Sequence, residues 1–258
     1  LLHAALELLV QDASLATCGD ADRMADTLAG HAERDLKGRF GRKLSVPLLV
    51  ALEAAAQRLR AATEQQVALA EAGWDIIAGE QTLAMPCGPL ELRGKIDRID
   101  RHRENGALRL IDYKTSDTPG DPLRAHVAAA RDDTEPFARA TADAKERRWV
   151  DLQPPPHAHL FAAHEGPPDR VDLAYFNLPK AVTATGLAPW DGLSPGVLDS
   201  AWHCAEEIAR RVHAGVFWPP SQRVRYDDFE WLAAGHTLAA ACTPPRADDS
   251  TQTGGKHD

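Results

Sequence analysis

The sequence predicts an α/β fold, with a mixed central β-sheet flanked by helices and further helices at the N-terminal end. Three strand-like stretches follow one another between residues 74 and 115, joined by tight turns, which gives an antiparallel meander. Helical periodicity fills the residues before them, and a helix, a fourth strand and a last helix come after. The 258 residues are 44% hydrophobic, enough for one sizeable core.

Each element has a local reason. Residues 1–12 place Leu1, Leu2, Ala5, Leu8 and Leu9 on one side of a helix. Residues 21–37 are helix-like but polar. Residues 45–72 form a long Ala/Leu helix, with Ser45 as N-cap and Gly73 as the stop. The strands "WDIIAGEQTLAM" and "PLELRGKIDRID" meet at the turn signal "PCGP", and "ALRLIDYKT" follows the turn "RENG". Residues 116–146 carry Pro and Gly early and mixed charge later, which reads as a loop and then a weak helix. Residues 147–164 read as a helix that Pro154, Pro155 and Pro156 interrupt. "RVDLAYFNL" is a strand, and "LDSAWHCAEEIARRVHAG" is a helix stopped at Gly215. The last dozen residues are polar and Gly-containing, and are expected to be disordered.

Composition narrows the function classes. A formal net charge of −9 argues against binding nucleic acid through bulk positive charge, but leaves room for local basic contacts. No apolar run approaches the roughly 18 residues of a membrane span. The four cysteines form no CxxC pair, so free thiols of a cytoplasmic protein are expected, with neither a zinc site nor a disulfide framework. "LLHAALELLV" reads as the middle of a helix, so the chain is expected to be cut from a longer one.

The chemistry concentrates in "GKIDRIDRHRENGALRLIDYKT", residues 94–115. Residues two apart on a strand share a face, so Asp112 and Lys114 point the same way and Tyr113 points away. A hairpin can bring Asp97 beside Asp112. Two converging carboxylates repel unless a cation lies between them, and hard oxygen ligands suit Mg²⁺ or Mn²⁺. A lysine beside such an ion can orient or deprotonate an attacking water. This combination fits metal-assisted hydrolysis of a phosphodiester. The plain alternative is a set of surface charges flanking a turn.

These residues resemble the core motif of the PD-(D/E)XK nucleases, in the RecB-like branch, with the nearest likeness to the C-terminal nuclease domain of AddB-type helicase–nuclease subunits. Gly94, Asp97, Arg98, Asp100, Asp112 and Lys114 fall in register with it. The resemblance implies a PD-(D/E)XK nuclease-like core in which Asp97, Asp112 and Lys114 are catalytic. It implies that the Tyr113 backbone carbonyl completes a metal shell. "LLHAALELL" matches an early helix motif whose histidine, here His3, binds metal, and Glu80 in "GEQTL" fits an acidic position ahead of the core. Gln153 fits the Gln of a Gln-x-x-x-Tyr motif, and "AGVFWPP" resembles a closing segment.

There are departures. The Tyr of that motif is His157 here, and three prolines stand between, so the helix is expected to start late and displace Gln153. Some relatives hold an iron–sulfur cluster through cysteines near the C-terminus. Cys204 and Cys242 lie far apart with no third Cys nearby, so no cluster is expected. No GxxxxGK[ST] phosphate loop is present.

Other readings stay open for single residues. His3 on an apolar helix face is either a packed core histidine or a ligand. Glu80 is either a ligand or a solvated strand residue, and Gln153 either positions DNA or is simply exposed. Arg98 and Asp100 suit a structural salt bridge or a DNA contact. His157, His159 and His164 match no strong zinc spacing. Arg139, Lys145, Arg147, Arg148 and Trp149 line a DNA groove or form a solvated helix face.

The expected organisation is one nuclease domain over residues 1–245, followed by a disordered tail over 246–258. Within it, 1–72 is a helical part, 73–180 the catalytic core and 181–245 a C-terminal helical part. The expected activity is that of a metal-dependent DNase, an exonuclease, working with a helicase region or partner subunit in DNA repair or recombination. The alternatives are a catalytically weak module that binds DNA or a partner subunit, and a hydrolase of small phosphoesters.

Overall fold

Four helices open the chain: α1 (Leu2–Gln11), α2 (Ala13–Ala16), α3 (Ala21–Phe40) and α4 (Val46–Glu71). In this computed structural model residues 1–165 and 171–217 are described. Asp12 caps α2 by accepting from the backbone N–H groups of Ser14 and Leu15, and Asp20 caps α3 through Arg23 N–H. Ser45 occupies the N-cap of α4 without a side-chain bond, and Gly73 leaves that helix at φ 91°.

The meander follows as β1 (Trp74–Cys87), β2 (Leu90–His102) and β3 (Leu108–Lys114). The next stretch differs from the sequence reading. Residues 116–149 hold a short α5 (Pro122–His126) and then β4 (Val127–Ala129), β5 (Arg139–Ala142) and β6 (Lys145–Trp149). These three strands form a second, antiparallel sheet in the order β4–β6–β5. The β5–β6 hairpin turns at Asp143 and Ala144, with φ of 54° and 53°. Such turns usually announce themselves by Asn-Gly or Asp-Gly, and Asp-Ala does not. The basic stretch is thus a strand hairpin, not a helix face. Within it Trp149 is buried and Arg139 is ion-paired to Glu146 at 2.7 Å.

The prolines also act differently from the reading. Pro154, Pro155 and Pro156 do not interrupt α6 (Pro154–Glu165) but open it. The first turn of a helix has no intrahelical acceptors for its N–H groups, so missing donors cost nothing there. Then come β7 (Val171–Asn177), β8 (Gly186–Pro189) and α7 (Pro195–His213). The four-residue β8 escapes a sequence reading because it is short and ends in proline, as edge strands tolerate.

The main sheet has the order β1–β2–β3–β7–β8, with β3 and β7 parallel and the other neighbours antiparallel. It is the mixed central sheet the sequence predicts. One face carries Ile111, Tyr113, Ala174 and Phe176 against α1, α3 and α4. The other carries Leu108, Leu110 and Leu173 against α6, the start of α7 and the second sheet. Gly79 allows α1 to lie close on β1. A Cβ there would sit 2.5 Å from Val10 Cγ2 and 2.8 Å from the Asp97 carbonyl oxygen.

Two compact units divide the chain, Leu1–Glu207 and Ile208–Asp258. Of the second, residues 208–217 are described, and they carry the end of α7. The expected tail over 246–258, residues 218–245 of the expected C-terminal helical part, the end of "AGVFWPP" and Cys242 lie outside the described residues. Cys18, Cys87 and Cys204 form no disulfide.

Arg98 and Asp100 are fully buried on the same side of β2. Asp100 accepts two bonds from Arg98, from Nε at 2.6 Å and from Nη2 at 2.8 Å. They are a structural pair and not a surface for DNA. Asp100→Ala leaves a buried guanidinium unpaired and is expected to cost about 3–5 kcal/mol, measured by urea unfolding. An isosteric apolar replacement of both residues is expected to cost less than that single change.

Candidate functional site

β2 and β3 pair in register from Arg101 opposite Leu108 to Arg98 opposite Ile111. The next pair in line is Asp97 with Asp112, and there the backbone ladder stops. Tyr113 N–H donates instead to the Asp97 carboxylate, at 2.9 Å from Oδ2. A side chain takes the place of a backbone acceptor, and this fixes Asp97 at the strand end beside Asp112. On the other side of Asp97, Glu80 of β1 sits at φ 52°, a left-handed backbone unusual for a non-glycine residue.

Asp112 and Lys114 share a face of β3, as the alternation requires. Lys114 Nζ lies 2.8 Å from Asp112 Oδ2. His3, one residue into α1, places Nδ1 3.9 Å from Asp97 Oδ2, and its ring meets the Tyr113 ring edge-on at 5.9 Å. The His3 side chain is 46% exposed, so it is not a packed core histidine. Asp97 and Asp112 are 18% and 16% exposed, enough for a ligand to reach them. Burial raises the Asp97 pKa above its ordinary value and the charge of Asp112 adds to this, while the Tyr113 N–H, His3 and Lys114 oppose it.

Of the residues singled out in the sequence, Asp97, Asp112, Lys114, Tyr113 and His3 come together. Glu80 is held in an ion pair with Lys95. Gln153 stands exposed just ahead of α6. His159 approaches Asp199 at 3.8 Å, while the Nδ1 of His164 bonds the Leu160 carbonyl, so these histidines go separate ways. Among the described residues no three His, Cys, Asp or Glu side chains are arranged as a ready metal cage. The donor set at the strand ends is still suited to a hard divalent ion. It offers two carboxylates, one of which burial and its neighbour leave short of positive charge, with an imidazole alongside.

His157 is the residue the sequence undervalues, because three prolines before it argue for a displaced helix. The early start of α6 instead brings His157 onto the site. A Cβ at Gly94 would sit 2.5 Å from its Cδ2 and 2.7 Å from its Nε2, so only glycine at 94 lets the imidazole settle over β2. Burial pushes the His157 pKa down, against the pull of the Asp112 charge. With Pro154 it lines a small cleft that Asp97 and Asp112 also line.

The chain matches the model of the PD-(D/E)XK nuclease superfamily over residues 1–216. It belongs to that superfamily, a family of nucleases. A search of the curated proteins finds no match. The matched span includes α1 with His3, the two strands with Asp97, Asp112 and Lys114, and α6.

The turn into α6 is held by Asp151. Its Oδ1 accepts from Gln153 N–H at 2.8 Å and lies 3.4 Å from His126 Nδ1. The hydrogen bond with His126 lowers the Asp151 pKa to about 2, from an ordinary 3.8. A depressed carboxylate adds stability above its ordinary pKa and loses it as pH falls towards the folded value. Asp151→Asn is therefore expected to cost about 1 kcal/mol at pH 6, after allowance for solvent screening, and the difference should fade below pH 4. Urea unfolding of both proteins between pH 3 and pH 6 checks this; a gap that does not narrow would count against the pairing.

Proposed function

We propose that this chain is a metal-dependent deoxyribonuclease of the RecB-like branch, akin to AddB-type nuclease domains. On this reading it hydrolyses phosphodiester bonds of DNA as an exonuclease. It would act in the cytoplasm with a helicase region or partner subunit in repair or recombination. The observation that carries the reading is the convergence of Asp97, Asp112 and Lys114 where the β2–β3 ladder ends.

Asp97 and Asp112 would hold Mg²⁺ or Mn²⁺, with His3 Nδ1 and the Tyr113 carbonyl as further ligands. Such an ion supplies Lewis acidity towards a phosphoryl oxygen and lowers the pKa of a bound water. The chain supplies the rest. The Tyr113 N–H holds Asp97 in place. Lys114, ion-paired to Asp112 at 2.8 Å, can orient the attacking water, take its proton or meet charge developing on the phosphate. His157 narrows the cleft over β2.

One observation favours a catalytically weak DNA-binding or partner-binding module instead. His157 replaces the tyrosine of the family motif, and Gln153 turns out to solvent. Cleavage assays on single- and double-stranded DNA separate the two readings.

Mg²⁺ or Mn²⁺ is expected to raise the melting temperature by mass action, and Asp112→Asn to abolish that shift. His3→Ala should fold normally, because its side chain is half open, and should weaken Mn²⁺ more than Mg²⁺. A metal-dependent shift surviving in Asp112→Asn would remove the assignment. Lys114→Ala is expected to slow cleavage by roughly 10²-fold or more, with metal affinity little changed and DNA affinity modestly reduced. Equal cleavage by wild type and Lys114→Ala would exclude the lysine from the mechanism.

A further inference from the structure

Lys114 has a second neighbour besides Asp112. Its Nζ lies 4.5 Å from the centroid of the Tyr175 ring. Tyr175 stands on β7, and the parallel register sets it directly beside Asp112. Both residues point to the α6 side of the sheet, as Leu110 and Leu173 do. A lysine is a point charge on a flexible four-carbon stem, so it keeps one position only where something fixes its end.

The ring of Tyr175 is itself fixed. Its hydroxyl bonds His126 Nε2. The other nitrogen of His126, Nδ1, faces the Asp151 carbonyl at 3.2 Å and the Asp151 carboxylate at 3.4 Å. Both are acceptors only, so Nδ1 carries a proton and donates it. In the neutral imidazole Nε2 is then the acceptor for the phenol O–H. Burial raises the Tyr175 pKa, with the charges of Asp112, Asp151 and Asp121 adding to it, so the phenol stays protonated as the donor. His126 is buried and stacks on Trp190 at 5.3 Å and 13°. The loop alongside is held as well, since Asn177 Oδ1 accepts from Gly120 N–H at 2.8 Å and Asn177 Nδ2 donates to Gly120 O at 3.0 Å.

We propose that Tyr175 is a positioning residue for Lys114, the face of its buried ring holding the ammonium beside Asp112. This inference rests on the nuclease reading in which Lys114 acts in cleavage. The ring face, packed among buried neighbours, is what meets the lysine. Loss of the ring therefore releases Lys114, while loss of the hydroxyl alone leaves the face in place among its buried neighbours. The effect belongs to the chemical step and not to DNA affinity, because buried Tyr175 has no route to the phosphate backbone.

The test compares wild type, Lys114→Ala, Tyr175→Phe and Tyr175→Leu in single-turnover cleavage at saturating DNA, with DNA affinity measured separately. Tyr175→Leu is expected to cleave about tenfold slower with unchanged DNA affinity, and Tyr175→Phe within about twofold of wild type. Wild-type rates in Tyr175→Leu, with Lys114→Ala inactive, overturn the inference and leave the nuclease reading intact. A Tyr175→Phe variant as slow as Tyr175→Leu also overturns it, since the hydroxyl and not the ring face would then matter. A proton–carbon spectrum decides the question without activity. The Lys114 ε-methylene signal, assigned by its absence in Lys114→Ala, should lie upfield of the other lysines under the ring current of Tyr175. If wild type cleaves no DNA, the nuclease reading fails, and this spectrum still decides the placement. If Tyr175→Leu does not fold, the wild-type spectrum decides it too, and an unshifted Lys114 signal overturns the inference.

Discussion

A single hydrogen bond organises the site, the one from Tyr113 N–H to the Asp97 carboxylate. A strand end normally offers its last donor to a neighbouring carbonyl or to water. Here the donor is bound by an acid, so the acid is pinned to the backbone of the very strand that carries Asp112 and Lys114. The bond favours the charged form of Asp97, while burial and Asp112 favour the neutral one. The site is thus held together at a point of electrostatic tension. A divalent cation relieves that tension, and so does a lysine, which is the arrangement Lys114 adopts with Asp112.

The layers on either side of the sheet serve this point in different ways. On one face Gly79 lets α1 settle on β1, and the close approach brings His3 next to Asp97. On the other face Gly94 lets α6 bring His157 over β2. Both approaches depend on a missing side chain in a strand, where glycine otherwise weakens the sheet. The buried Arg98–Asp100 pair lies just behind Asp97 on β2, with the Arg98 guanidinium 6.0 Å from the Phe176 ring. A charge buried this deeply requires its partner and leaves the strand little freedom to shift.

Polar networks continue away from the carboxylates. Asp151, His126 and Tyr175 form a directed chain of donors that ends at a ring against Lys114. Each member has its partner defined by the one before it, because carbonyl and carboxylate oxygens only accept. Three residues from three different segments, the loop before α6, the end of α5 and strand β7, thereby bear on one lysine.

Much of this was legible in the residues alone. The alternation of "LRLIDYKT" put Asp112 and Lys114 on one face, and the hairpin turn made Asp97 their neighbour, because strand periodicity is local and strict. The helices α1, α3 and α4, the meander and β7 followed from periodicity and caps in the same way. What the residues left open was decided by contacts between distant segments. His3 faces the site and not the core because α1 lands on Gly79, far along the chain. Glu80 is held by Lys95 from the neighbouring strand. The second sheet escaped notice because its turn, Asp143–Ala144, takes a left-handed backbone without glycine. The prolines before His157 spoke locally for a delayed helix, but a first turn needs no donors, so the helix begins there and carries His157 onto the site. The role of Tyr175 has no local signal at all: its ring meets Lys114 only through a parallel strand pairing that closes across more than fifty residues.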